Sequence, residues 1–274
     1  MKPHHPLTAA AAALLLAAPL AHAAGAHGAN SLTAAGYAEN FDSLGSSGTA
    51  LPTGWDKYYG NDGDKASWKN SIPGNGAVSV ASMTRQTGSL SIVTTPSGAN
   101  NDGFNAALNA SALGDRVIAT SPTGGTGAAL ELSLVNDTGY SFTDLVLSYD
   151  TVRFTATSSS DSDKLYGYQL FYSLDGASWT NVAALNPTLA SVPNSVGVTH
   201  VSNATVSLAS AVAVGASLYL RWVDDNGSPS PDQILGLNNV SVAAVPLPVP
   251  EPASALLLAL GLGLTACAAR RRAR

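Results

Sequence analysis

Fifteen aspartates and three glutamates are the groups in this chain best suited to move protons or hold a hard cation. Their placement limits what they could do. Glu39 and Glu131 are the only glutamates before Glu251. Glycoside hydrolysis needs two carboxyl groups about 5 to 10 Å apart, and neither glutamate belongs to a recognisable active-site strand motif. Three aspartate pairs, Asp62 with Asp64, Asp161 with Asp163 and Asp224 with Asp225, lack the spacing of an EF-hand and read as solvated turns. His200 is the one histidine well inside the chain, in the strand-like run Val198-Thr199-His200-Val201-Ser202. No His-Glu-x-x-His, Gly-x-Ser-x-Gly or Walker loop is present, so a hydrolytic triad would have to be assembled around that histidine. The expectation is a chain without catalytic residues.

The elements that position these groups are read from two-residue periodicity. Leu90-Ser91-Ile92, Leu130 to Leu134, Leu145 to Tyr149, Tyr166 to Tyr172, Leu218 to Val223 and Val240 to Val242 alternate as strands do, and Val78-Ser79-Val80 fits the same pattern. Asn61-Asp62-Gly63, Pro73-Gly74-Asn75-Gly76, Thr123-Gly124-Gly125 and Asn226-Gly227 punctuate them. Within the body, Phe104 to Leu113 is the one stretch expected to be helical. A hairpin is expected where Leu165 to Ser173 runs through Asp175-Gly176 into Trp179 to Val182. Alternation puts Tyr166, Tyr168, Leu170 and Tyr172 on one face. That row could stack on sugar rings if exposed, or serve as core or a cross-strand ladder. Many short strands with few helical stretches predict an all-β fold, an antiparallel two-sheet β-sandwich of jelly-roll type.

Both ends carry targeting signals. Lys2 precedes an apolar run from Leu7 to Leu20, and Ala21-His22-Ala23 supplies the small-x-small site of a signal peptidase, so residues 1–23 read as a signal peptide. At the other end, Pro250-Glu251-Pro252 leads into an uncharged run from Ala253 to Ala269, then Arg270, Arg271, Arg272 and Arg274. Roughly 17 helical residues at about 1.5 Å each reach about 25 Å, slightly short of a hydrocarbon core of about 30 Å. Arginines past such a segment stay on the cytoplasmic side. A transmembrane helix is therefore expected in 249–274, anchoring a precursor in the inner membrane with the body outside the cytoplasm. Residues 24–248 remain as one domain. Their eight Lys and Arg stand against seventeen Asp and Glu, a net charge of minus nine, with no basic track for nucleic acid. Cys267, the sole cysteine, falls in the C-terminal run, so the domain has no disulfide and no cysteine zinc site.

The tail, with its Pro-Glu-Pro motif, apolar span and arginine end in that order, closely resembles the PEP-CTERM sorting signal of Gram-negative bacteria. That resemblance implies recognition and cleavage by an exosortase, a membrane protease. The body resembles exported bacterial jelly-roll domains through Asn40-Phe41-Asp42-Ser43-Leu44, Leu51-Pro52-Thr53-Gly54-Trp55, Gly114-Asp115-Arg116-Val117-Ile118, Asn136-Asp137-Thr138-Gly139, the Ser173 to Trp179 turn and Leu220-Arg221-Trp222-Val223-Asp224-Asp225. This second likeness implies a binding or display module. Related jelly rolls hold structural calcium between their first and last strands, which points to Glu39, Asp42 and Asn239 as candidate ligands. Here the last strand carries Asn238-Asn239 where aspartates are usual, which lowers ligand charge and affinity. Taken together, these features predict a sorted surface or extracellular-matrix protein that binds polysaccharide without cleaving it. A polysaccharide hydrolase or lyase with an unrecognised carboxylate site is the alternative, and a purely structural surface protein a third reading.

Overall fold

The computed structural model of the chain describes residues 28–60, 80–122, 127–155, 167–188, 191, 195–224 and 233–247. The signal peptide, the Asp62–Asp64 and Asp161–Asp163 pairs, Asp225, Tyr166 and the C-terminal tail lie outside them. Among the described residues no helix is long and apolar enough to cross a membrane.

Fourteen strands are described. They are β1 (Asn30–Thr33), β2 (Tyr37–Glu39), β3 (Trp55–Tyr59), β4 (Thr84–Gln86), β5 (Ser91–Val93), β6 (Asn100–Ala107) and β7 (Arg116–Ser121), followed by β8 (Ala128–Asp137), β9 (Phe142–Thr155), β10 (Gln169–Ser173), β11 (Thr180–Asn181), β12 (Gly197–Val212), β13 (Ser217–Asp224) and β14 (Ile234–Pro246). One sheet runs β11-β10-β13-β8-β3-β4, with β1 also on β8; the other runs β12-β9-β14-β7-β6-β5, with β2 also on β14. From β7 onward the chain crosses between the sheets at almost every step. It fills them as β7-β14-β9-β12 and β8-β13-β10-β11, the strand order of a jelly roll. The expected sandwich is present, with one adjustment: β1 pairs with β8, and β5 with β6, in parallel.

Alternation explains the core. Leu130, Leu132 and Leu134 of β8, Leu145, Leu147 and Tyr149 of β9, and Leu218, Leu220 and Trp222 of β13 all point between the sheets. Trp55 and Trp222 stack with ring centroids 5.7 Å apart, while Phe41 meets Trp55 edge-on at 4.9 Å and Tyr149 meets Trp222 edge-on at 5.7 Å. The outer face of the first sheet is buried as well, under Val80, Met83, Phe171, Trp179, Tyr219 and Val223.

Two bulges sit side by side on the second sheet. The ladder between β14 and β9 slips between Asn238 and Ser241, and that between β12 and β9 slips between Val201 and Ala204. Asn239 (φ 49°) and Asn203 (φ 50°) take the left-handed conformation at these slips, which asparagine tolerates better than most residues. The inward parity of β14 changes there, from Leu235 and Leu237 to Val240 and Val242.

Phe104 to Leu113 is a correction. Its first four residues belong to β6, paired with β7 on one side and β5 on the other, and the rest forms turns. Asn105 is wholly buried, where its amide donates to the carbonyls of Gly45 and Gly48 and its oxygen accepts from Arg116. Two ladders and this side-chain network outweigh the local alanine-rich preference for helix. Val80, expected in a strand, opens a short helical turn instead. The hairpin is as expected: Phe171 pairs with Asn181 and Tyr172 with Thr180.

Candidate functional site

The two glutamates do not meet. Glu131 stands on the outer face of β8, opposite Arg221 of β13, and is sealed from solvent. Arg221 donates through Nε to Glu131 at 2.9 Å and lies between the rings of Tyr58 (3.9 Å) and Trp179 (4.0 Å). The Tyr58 hydroxyl donates to the other carboxylate oxygen at 3.3 Å. Burial pushes the Glu131 carboxyl above its usual range, and the arginine charge partly offsets that push. This cluster is a structural clasp between β8, β13 and β3.

Glu39 belongs to the other sheet, opposite Val240 and so one residue from Asn239. The two calcium candidates therefore lie close, around a shallow depression that Asn40 and Ser241 also line. Asp42 is otherwise engaged. Its carboxylate accepts from the Arg116 backbone at 2.8 Å and from Asn40 at 2.8 Å, fixing the turn that follows β2. Glu39 accepts from the Phe41 backbone at 2.7 Å, which helps hold Phe41 at a φ of 61°. Among the described residues, no three His, Cys, Asp or Glu side chains gather into a metal-binding group.

Asp150 is the carboxylate that sequence reasoning missed. Placed on β9 between the two bulges, it accepts from Asn239 Nδ2 at 2.8 Å through one oxygen, and its other oxygen lies 2.5 Å from His200 Nδ1. Fifty positions separate Asp150 from His200, and eighty-nine from Asn239. No local motif links them; only the β12-β9-β14 order brings them together. The His200 ring remains largely open to solvent.

Beside this pair the sandwich opens. A cleft of about 340 Å³ lies between the sheets at the β12 side. One wall is Tyr149 and Thr151 of β9 with Thr199 to Val201 of β12; the other is the Ala183–Leu185 3-10 turn with Asn186, Pro187, Thr188 and Ser191, and Tyr168 also lines the cavity. The tyrosine row resolves as core: Tyr168 and Tyr172 are buried, with Tyr168 donating to the Leu235 carbonyl at 3.0 Å and Tyr172 accepting from the Ala209 backbone at 2.9 Å. An exposed tyrosine platform for sugar is therefore not formed by these residues.

The sorting residues Pro250, Glu251 and Pro252, the arginines from Arg270 to Arg274, and Ala21 and Ala23 lie outside the described residues, and for the tail the comparisons speak instead. Residues 248–273 match the PEP-CTERM protein-sorting motif. That motif implies an exported chain, a membrane-anchored precursor and processing by an exosortase. No curated protein matches the chain. Among solved structures, a cyclase from Fischerella sp. TAU in complex with 4-(1H-indol-3-yl)butan-2-one is 15% identical, with a TM-score of 0.36 over 73% of this chain and 89% of the cyclase. A second structure of a cyclase from Fischerella sp. TAU is 16% identical, with a TM-score of 0.35 over the same shares. The catalytic domain of a GH87 α-1,3-glucanase in complex with nigerose is 17% identical, with a TM-score of 0.24 over 51% of this chain and 24% of that one. Likenesses this distant carry no functional argument.

Proposed function

From a chain that ends in a PEP-CTERM protein-sorting motif, we propose an exported, exosortase-processed protein that binds polysaccharide at the cell surface or in the extracellular matrix and does not cleave it. The sorting motif is the observation that carries this reading. The state of the carboxylates supports its non-catalytic half. Glu131 is locked to Arg221, Asp42 to backbone and Asn40, and Glu39 to the backbone of Phe41. The acidic balance of the body, minus nine, favours a neutral polymer over an anionic one.

Two measurements test this. Replacing Pro250-Glu251-Pro252 with alanines should leave a full-length precursor in the membrane; the same C-terminus by mass spectrometry in mutant and wild type would sink the sorting role. Protein recovered after processing should sediment with extracellular polysaccharide and release no reducing ends from it.

A hydrolase or lyase is the second reading, and the Asp150–His200 pair beside the cleft is what favours it. A carboxylate holding a histidine is the orienting half of a general base. Turnover of any polysaccharide that His200→Asn abolishes, with binding intact, would replace the first reading by this one.

A further inference from the structure

Three hydroxyl groups border the cleft without a hydrogen-bond partner among the described residues. Tyr149 and Thr151 stand on the inner face of β9, and Thr199 stands on β12 directly opposite Thr151 in the ladder. Tyr149 is 2% exposed and Thr151 5%. Buried hydroxyls ordinarily find a hydrogen-bond partner, and several other tyrosines of this fold do. Tyr168 bonds Thr120 and Leu235, Tyr37 accepts from Trp55, and Tyr172 accepts from Ala209. The Tyr149 ionisation is displaced upward by burial alone, with no hydrogen bond contributing.

Most other polar side chains of the cleft are engaged. Asn186 exchanges two amide bonds with Asn181, at 2.8 and 3.0 Å, and Thr188 and Ser191 bond one another. At the rim His200 meets Asp150 through Nδ1 and turns the rest of its ring to solvent. Leu185, Pro187 and Val201 supply apolar wall. The cleft therefore offers three neutral hydroxyls with apolar side chains beside and across from them and, among its described lining residues, no lysine or arginine.

We propose that this cleft binds the neutral terminal ring, or terminal pair of rings, of a polysaccharide; the assignment rests on the polysaccharide-binding reading above. A sugar ring carries hydroxyls at its edge and C–H groups on its faces, which matches this mixed lining of hydroxyls and apolar side chains. About 340 Å³ is near the lower end of the roughly 300–1,000 Å³ of small-ligand pockets, which suits one or two rings and not a passing chain. A uronate or sulfated sugar would bury an anion with no lysine or arginine in the lining to meet it, which is costly. Recognition is thus of an uncharged chain end.

The test uses the full-length chain in detergent. Glucose, galactose, mannose, N-acetylglucosamine and their common disaccharides are screened by saturation-transfer NMR and titration calorimetry, with glucuronate and indole as charged and apolar comparators. At least one neutral sugar should bind. Thr151→Val with Thr199→Val should weaken it about tenfold or more, since two hydrogen bonds are lost, while the melting temperature holds. Tyr149→Phe is an independent variant expected to act in the same direction.

Sugar binding that neither variant changes, or binding of glucuronate or indole alone, overturns the assignment. Sedimentation with the intact polymer separates this from the broader reading. If wild type and variants sediment equally, the polymer is bound elsewhere and only the cleft assignment falls. If none sediments yet free sugars bind through the three hydroxyls, the polymer reading falls and the cleft is a site for free neutral sugars, not for a chain end. If neither polymer nor sugar binds, both fall.

Discussion

Asp175 shows how firmly a single ionisation is tied to local structure. Its carboxylate accepts from the backbone N–H groups of Ser178 (2.7 Å) and Ala177 (2.8 Å), which hold it well below the usual carboxylate range. A depressed folded pKa stabilises the turn above the unfolded pKa of about 3.9, and that contribution is lost as pH falls toward the folded value. Amide exchange at Ala177 and Ser178 should therefore accelerate, relative to amides elsewhere in the sheet, only below about pH 4; protection that stays flat to pH 2 would contradict the assignment. Calcium belongs to the same scale. Glu39 and Asn239 lie close, but Asp42 is committed to the Arg116 backbone and to Asn40, so millimolar calcium should raise the melting temperature by less than about 2 °C. A rise above about 5 °C that Glu39→Ala or Asn239→Ala removes would establish a real site. Part of this was legible in the sequence. Asp175-Gly176 announced its turn, and β2 beside β14 brings Glu39 near Asn239. Asp150 was not legible, because its partners come from strands that meet it only through the jelly-roll winding.

At the level of elements, β6 is the instructive case. Gly103 sits at φ 71°, where the ladder with β7 slips between Asn100 and Phe104. A Cβ there would come within 2.8 Å of the Ala119 carbonyl oxygen. Gly103→Ala should cost about 1–3 kcal/mol through strain and contact, lowering the melting temperature by several degrees; an unchanged melt would mean the bulge relaxes freely. The same feature explains why this strand was misread. A bulge breaks two-residue alternation, and Ala106, Ala107 and Leu108 then present an apolar spacing that suits a helix equally well. Strands without bulges, such as β8 and β13, were read correctly because their leucines keep one parity throughout. The parallel pairings of β1 and β5 left no trace in their own short sequences, since the partner strand decides direction.

For the whole molecule, the position of β14 has a consequence for timing. This strand is embedded, with β9 along one side and β7 and β2 along the other. Its last residue, Pro246, is still in register with Phe142, and the sorting motif begins at residue 248. At no more than about 3.6 Å per extended residue, only about 7 Å of chain separates the finished sheet from the motif. A membrane protease working on that motif meets a domain already standing at its entrance. Sorting then competes with folding: a body that closes early shields its own cleavage point, and one that closes late leaves β14 free to be drawn in. Inserting a few Gly-Ser repeats after Leu247 should therefore shorten the lifetime of the precursor in a pulse-chase, and an unaltered lifetime would mean that the sheet imposes no such delay. A shortened lifetime would make the last strand the domain's latch as well as its central support, with its closure setting when the protein leaves the membrane.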